Sequence, residues 1–394
     1  MHPINEIRGS ASDALAGKRI VLGITGSIAA VEIVKLAREL ARHGAEVIPV
    51  MSRAATKIVH PDAVHFATGN VPIIELDGAV KHVELCGDSK YRADLLLIAP
   101  ATANTISKIA QGIDDTSVTT MASCAMGSKM PIIIVPAMHG SMYSHDIIME
   151  NVDRLRSKGV VFVGPRMEER KAKMATQADI VRQVCRTLGP NDLKGRKVLV
   201  IAGSTREPID DVRFISNVST GRTGTAIAGE AHRRGADVEV WAGEGLDIPD
   251  FASVKMFVSV RDLAVMAKKA RADIIIVPAA ISDFTLKPAK GKVRSGKAVK
   301  LQLEPAGKIL GLLPRTGIII GFKAETGITM KELEKRARAR MAEHDIDLIV
   351  ANRLEDVKPD STTALLLMPG KKAVQFKGRK TELARAIFDI MPEA

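Results

Sequence analysis

The chain has 394 residues, of which 46% are hydrophobic and 26% charged, enough for two or three domains with substantial cores. No apolar run approaches the roughly 20 residues of a membrane span, and residues 1–20 lack the apolar core of a secretory signal, so a cytoplasmic location and no membrane partner are expected. The net charge of +12 is dispersed apart from residues 331–340 and 287–300, and 3% aromatic content leaves few stacking platforms, which argues against a nucleic-acid partner and for attraction of anionic metabolites. Cys86, Cys124 and Cys185 have neither CxxC spacing nor an even count, which argues against a disulfide framework and a zinc cluster.

In chain order, a strand ending at Gly23-Ile24-Thr25-Gly26-Ser27 meets a glycine turn that opens a helix. Alone this is a weak phosphate-site signal, because the full GxGxxG is absent. Ser52 closes the second strand. His82 lies in Lys81-His82-Val83-Glu84-Leu85, and a lone histidine there reads as structural. The stretches 100–105 and 136–143 each follow an apolar strand and bring small and polar groups to one sheet edge. Cys185 falls in a helix-like run, 180–188, where a buried structural thiol is expected.

The pattern then repeats. Residues 17–27 are echoed by 195–204, Gly44-Ala45 by Gly235-Ala236, and Ala93-Asp94 with its apolar run by Ala272-Asp273 with its own. Each half reads as strand, glycine turn, helix, strand and later Ala-Asp, buried strand, Pro-Ala loop. That predicts two doubly wound α/β domains, 1–189 and 190–394, divided at the turn cluster 189–192, with ligands beyond the carboxyl ends of the strands. The richest stretch is 202–224, where a buried strand feeds a long polar loop into a helix N-terminus. Free N–H groups and the helix dipole favour anions there, and Ser204, Thr205, Arg206, Arg213, Asn217, Ser219 and Thr220 supply side chains.

The first half resembles the flavin-containing cysteine decarboxylases of the phosphopantothenoylcysteine decarboxylase family, on GITGSIAA, KHVEL, APATANT and PAMHGSMY in order and spacing. The resemblance implies a flavodoxin-like flavoprotein in which Gly26, Ser27, Ser52, Thr102, Ala103 and Asn104 hold FMN. His82 would be the active-site base, a role suited by an unperturbed pKa of about 6.5. In that family the substrate thiol is oxidised by hydride transfer to flavin, the thioaldehyde loses CO2, and the electrons return. His139 stands where the family's asparagine binds the substrate carboxylate. The family's flap cysteine has no counterpart in 164–174, so the last proton donor is unassigned, with Lys171 and Lys173 as candidates.

The stretch AGSTREPIDDVRFISNVSTGRTG resembles the signature of phosphopantothenoylcysteine synthetase, and that likeness covers nearly all of 190–394. It implies that 4′-phosphopantothenate is activated by a nucleotide triphosphate with Mg2+, and that the cysteine amine then attacks. CTP is implied and ATP stays open; no metal ligand is assigned. Asn217 would stabilise the acyl intermediate and Arg213 flank it. Pro278, Ala279 and Asp283 would contact the nucleotide, and Lys292 lies on a basic loop closing on phosphate. Gly307, Lys308, Ile309 and Leu310 replace an Asn-Pro-Asp element near the base, which Phe322 would also face. Arg340 and His344, on one helical face, occupy the places of two triphosphate-gripping lysines. Both families imply a homo-oligomer, trimer-based or larger with a dimeric ligase domain. Two alternatives stay open: an active ligase with a flavin-binding module of altered activity, and a non-catalytic basic nucleotide-binding protein.

Overall fold

Runs such as residues 95–98 and 274–277 are apolar without alternation, which suits strands covered on both faces. The computed structural model describes residues 2–168, 171–248, 250–294, 296 and 298–392. Its contacts divide the chain into two compact units, Met1–Gly189 and Pro190–Ala394.

The first unit is a five-stranded parallel sheet of β1 (Arg19–Ile24), β2 (Glu46–Met51), β3 (Leu95–Ala101), β4 (Ile132–Pro136) and β5 (Val161–Phe162), in the order β2-β1-β3-β4-β5. This is the flavodoxin-like order, whose switch point lies between β1 and β3. Helix Ile33–Arg42 buries Ile33, Leu36, Ala37, Leu40 and Ala41 against one face of the sheet, the stripe expected of a helix on a core. Helix Ser117–Gly127 buries Val118, Met121, Ala122 and Ala125 against the other.

The second unit holds an eight-stranded sheet. Its strands are β6 (Lys197–Ala202), β7 (Asp237–Gly243), β8 (Ser253–Phe257), β9 (Ile274–Val277), β10 (Ile318–Glu325), β11 (Leu348–Arg353), β12 (Ser361–Leu367) and β13 (Val374–Arg379). The order is β8-β7-β6-β9-β10-β11-β12-β13, parallel as far as β11 and antiparallel beyond it. The antiparallel edge is not visible in the internal repeat. The switch point lies between β6 and β9, so the loops after those strands face each other.

The repeated Ala-Asp has a structural cause. Asp94 accepts from Arg19 N at 2.8 Å and donates its own N–H to Arg19 O. Asp273 does the same to Lys197, with its carboxylate 2.7 Å from the Lys197 N–H. Asp347 repeats the clamp on Ile319 at 2.8 Å. Each aspartate thus fixes where two adjacent parallel strands begin.

Two local expectations change. Cys185 lies in helix Gln177–Thr187 and is only partly buried. His344 caps helix Met330–Glu343 instead of extending it, so it lies just past the helical face that carries Arg340.

Candidate active sites

In the first unit Thr25 is fully enclosed. Its Oγ1 donates to Pro100 O at 2.7 Å and accepts from Thr102 N at 3.1 Å. One hydroxyl therefore stitches the loops after β1 and β3. Beside this stitch lies a cavity of about 580 Å³ lined by Gly26, Ser52, Thr102 and Asn104, with apolar Ile74 and Leu76 and the hydroxyls of Thr105, Thr116 and Ser117. The amino ends of helices Ala103–Gln111 and Ser117–Gly127 border it, capped by Thr102 and Thr116.

Four of the six residues expected to hold flavin line this cavity together. Ala103 is buried at the start of its helix, where only its backbone is available. Ser27 points elsewhere: its Oγ donates to Ala137 O at 3.0 Å, and it lines a larger cavity of about 1010 Å³ with His139, Arg166, Lys171 and Lys173. Adjacent residues of one turn thus serve two cavities.

His139 is exposed, with Nδ1 2.7 Å from Ser141 Oγ, and is paired across short strands with Lys171. On the facing hairpin Glu168 accepts from Lys173 at 3.0 Å and from Arg166 at 2.8 Å. The Lys173 hydrogen bond, then both cationic charges, hold the Glu168 carboxyl below its ordinary range. Glu169 and Arg170 of the flap lie outside the described residues.

His82 lines neither cavity. It sits in helix Lys81–Cys86, whose N-cap Val80 takes φ 46°, a strained conformation for a β-branched residue. Its Nδ1 is buried without a hydrogen-bond partner among the described residues. An orphaned ring nitrogen is costly in a purely structural histidine. Cys86, on the same helix, is buried with its thiol pushed up to about 12 by desolvation.

In the second unit the corresponding stitch is Thr205. It is fully enclosed, and its Oγ1 accepts from Ser282 N at 3.0 Å. Thr205 is thereby removed from the expected anion-binding set. Arg206 pairs with Glu244 and lies over the Phe214 ring. Asn217 Nδ2 donates to Ile281 O at 3.1 Å, so the loops after β6 and β9 meet at this amide. Gly224 is required here: a Cβ would come within 2.4 Å of the Ala202 Cβ, so only glycine lets the helix start this close to the strand end.

Asp210 was not singled out by the sequence reading. Its carboxylate accepts from Val212 N and Arg213 N at 2.8 Å, from Arg213 Nη1 at 3.0 Å and from Val293 N at 3.1 Å. The Val212 N–H, with those of Val293 and Arg213, holds it below the ordinary carboxylate range despite desolvation. Asp210 thus joins Arg213 to the segment bearing exposed Lys292. The Asp-Asp doublet two residues before Arg213 was the available signal.

Farther along the sheet edge, Asp283 is ion-paired with Lys308. Its carboxyl is held low by that hydrogen bond, then by the Lys308, Arg340 and Lys323 charges. Lys308 and Arg340 bear on this acid together with Lys323, which also pairs with Glu325 at 2.8 Å, and the local field favours an anionic ligand. Pro278 and Ala279 follow β9, and Gly307 is exposed. Ile309 and Leu310 sit in a single 3-10 turn and their side chains pack into the core. Phe322 is half-buried against the core. Arg340 Nε and His344 Nε2 are both buried without hydrogen-bond partners among the described residues. No three His, Cys, Asp or Glu side chains converge as a metal site among those residues.

Residues 8–189 match the family described as Flavoprotein, and residues 193–393 match the DNA/pantothenate metabolism flavoprotein C-terminal domain. The coenzyme A biosynthesis bifunctional protein CoaBC of Thermococcus kodakarensis is 45% identical over 398 residues, covering 99% of this chain and 98% of its own. That of Methanocaldococcus jannaschii is 38% identical, covering 99% and 97%. The crystal structure of the DNA/pantothenate metabolism flavoprotein from Streptococcus pneumoniae is 25% identical, covers 50% of this chain and 97% of its own, and superposes with a TM-score of 0.46.

Proposed function

This chain belongs to the family of coenzyme A biosynthesis bifunctional proteins, and from that premise we propose how its two units divide the work. It is a bifunctional enzyme of coenzyme A biosynthesis, a flavoprotein with decarboxylase and ligase activities. We assign phosphopantothenoylcysteine decarboxylation to residues 1–189 and the joining of 4′-phosphopantothenate to cysteine to residues 190–394. The observation that carries this reading is that two different family matches fall on the two compact units.

FMN is the proposed flavin. The cavity of about 580 Å³ is within the usual range for small-ligand sites. Its donors suit the group: hydroxyls and two helix N-termini for phosphate, Ile74 and Leu76 for a ring. When bound, the flavin supplies hydride acceptance and return. Gly26, Ser52, Thr102 and Asn104 would hold it, and Ala103 would contribute backbone. In this reading the orphaned Nδ1 of His82 takes the thiol proton, and His139, still a donor to a carboxylate whether neutral or protonated, holds the substrate. The absence of a cysteine from 164–174 favours one second reading, a flavin-binding module of altered decarboxylase activity.

In the second unit Lys308, Lys323, Arg340 and His344 are proposed to meet the nucleotide triphosphate, with Lys292 closing on it, so that developing charge is neutralised. CTP is the proposed nucleotide. Mg2+ is proposed to accompany the triphosphate. The Asn217 amide, already at the junction of the two loops, would turn to the acyl group, with Arg213 beside it.

A cytoplasmic homo-oligomer is proposed. No helix among the described residues is long and apolar enough to cross a membrane. The test is an assay with 4′-phosphopantothenate, cysteine, Mg2+ and CTP or ATP, following pyrophosphate and CO2 separately. Purified protein should be yellow with FMN, and both products should form with CTP. Pyrophosphate without CO2 would select the altered-module reading, and neither product would overturn the assignment.

A further inference from the structure

Helix Ser117–Gly127 carries Met121 and Cys124 three residues apart, a spacing that sets side chains next to each other on one helical face. The same face continues to Ala125 and to Ser128 at the helix end. Helix Lys81–Cys86 packs against it and ends on Cys86, which is fully buried, as is Met121. Two contacts fix where Cys86 lies along that face. Its thiol donates to Met121 Sδ at 3.6 Å, and its carbonyl accepts from Ser128 Oγ at 2.6 Å. Cys124 stands between these two contacts, and its thiol is within electrostatic reach of the Cys86 thiol. Three sulfurs thus converge between two helices.

Their spacing and chemistry go beyond an ordinary core contact. Two sulfurs on one ion, each about 2.3 Å from it at a tetrahedral angle, stand about 3.8 Å apart. The Cys86–Met121 pair is therefore already spaced to share an ion. Cys124 is only partly buried, which leaves an approach from solvent to the sulfurs behind it. The donor set narrows the ion. Thiolate and thioether sulfur select soft ions such as Cu(I). A closed zinc site takes four nitrogen, sulfur or carboxylate ligands, and no third His, Cys, Asp or Glu joins the two thiols among the described residues. Cys185 lies apart, packed on the core of the opposite face of the sheet.

We propose that Cys86, Met121 and Cys124 form a three-sulfur site for a soft monovalent metal ion of the Cu(I) class. As the ion enters, each thiol releases its proton to water and each sulfur donates a lone pair, with nothing oxidised or reduced. The ion would clamp helix Lys81–Cys86 to helix Ser117–Gly127. The first carries His82 one turn before Cys86, and the second borders the flavin cavity. The site stands independently of the flavin and ligase assignments.

The experiment titrates the full chain with Cu(I), kept reduced by ascorbate without oxygen, against a chromophoric Cu(I) chelator. Wild type and Cys185→Ser should each withdraw about one equivalent, and the ion should raise their melting temperatures, since it binds the folded chain alone. Cys124→Ser, at a partly buried position, should lose both the equivalent and the thermal shift. Cys86→Ser should do the same. Because that change sits in the core, Met121→Leu supplies a second variant, which keeps the volume and removes only the thioether. It should hold Cu(I) about 10- to 100-fold more weakly, the scale of a lost supporting contact at a metal. X-ray absorption of the loaded wild type should show sulfur as the only neighbour of copper. Wild-type uptake in Cys124→Ser or Met121→Leu overturns the site, as does nitrogen or oxygen bound to the copper. Uptake lost in Cys185→Ser places the ion elsewhere and overturns it too.

Discussion

At the switch point of the first unit Thr25 ties the loops after β1 and β3, and at that of the second Thr205 ties those after β6 and β9, yet the surroundings of the two stitches differ. Around Thr25 the cavity is lined by hydroxyls, an amide and apolar side chains, with the ion pairs Arg53–Glu75 and Lys108–Asp115 at its wall. Around Thr205 the neighbouring loops carry Arg213, Asp210, Asp283 and Lys308, already in ion pairs. Hydroxyls and an amide beside Ile74 and Leu76 suit a ligand with an apolar ring and a polar tail. Around Thr205 the charged groups stand at the meeting loops themselves, which suits strongly anionic ligands. The shared scaffold fixes where ligands bind; the side chains decide which ligands suit each place.

The largest effect should come from His82. His82→Asn removes the orphaned ring nitrogen, and CO2 release should fall by about 10²- to 10⁴-fold with flavin absorbance retained. Turnover near wild type would return His82 to a structural role. In the second unit Asn217→Asp should slow peptide-bond formation by about 10²- to 10³-fold, the scale of one lost donor to a developing charge. Pyrophosphate should still appear, and mass spectrometry of the quenched reaction should show an accumulated acyl-nucleotidylate. Full ligation with no such species removes Asn217 from the mechanism.

A smaller effect tests stability. Glu239 is buried, pairs with Lys197 and Lys255 at 2.7 Å each and accepts from Trp241 Nε1 at 2.7 Å. Desolvation opposes its ionisation, but those partners win and set its pKa at about 2. A depressed carboxylate contributes stability above its unfolded pKa of about 4.3 and loses it as pH falls toward the folded value. Glu239→Gln should therefore destabilise the second unit by about 1–3 kcal/mol at neutral pH, and the gap to wild type should close between about pH 4.3 and about 2. A gap that widens on acidification contradicts this account.

The smallest expected change is none. A fragment of residues 190–394 should fold and form phosphopantothenoylcysteine from 4′-phosphopantothenate at the full-length rate without flavin, because Pro190–Ala394 is a compact unit of its own. A soluble but inert fragment beside an active full chain would show that the ligase site is completed by the other unit.

Much of this was legible in order along the chain. Continuous apolar runs specify buried parallel strands, and the repeated Ala-Asp marks where they start, because an aspartate there can clamp its neighbour's first N–H. Glycine turns and the loops after β3, β6 and β9 locate both candidate sites, since strand polarity alone puts those loops at one edge. Which side chains serve a site was decided by packing. Gly26 and Ser27 are adjacent in sequence yet line different cavities. Thr205 reads as an anion ligand and becomes a buried stitch, and Ile309 and Leu310 become core. Asp210 gains its role only when Val293, 83 positions away, donates to it. Local periodicity specifies elements because each residue's face follows from the backbone repeat. A side chain's partner follows from which distant elements the sheet order brings beside it, and that order exists only in the folded chain.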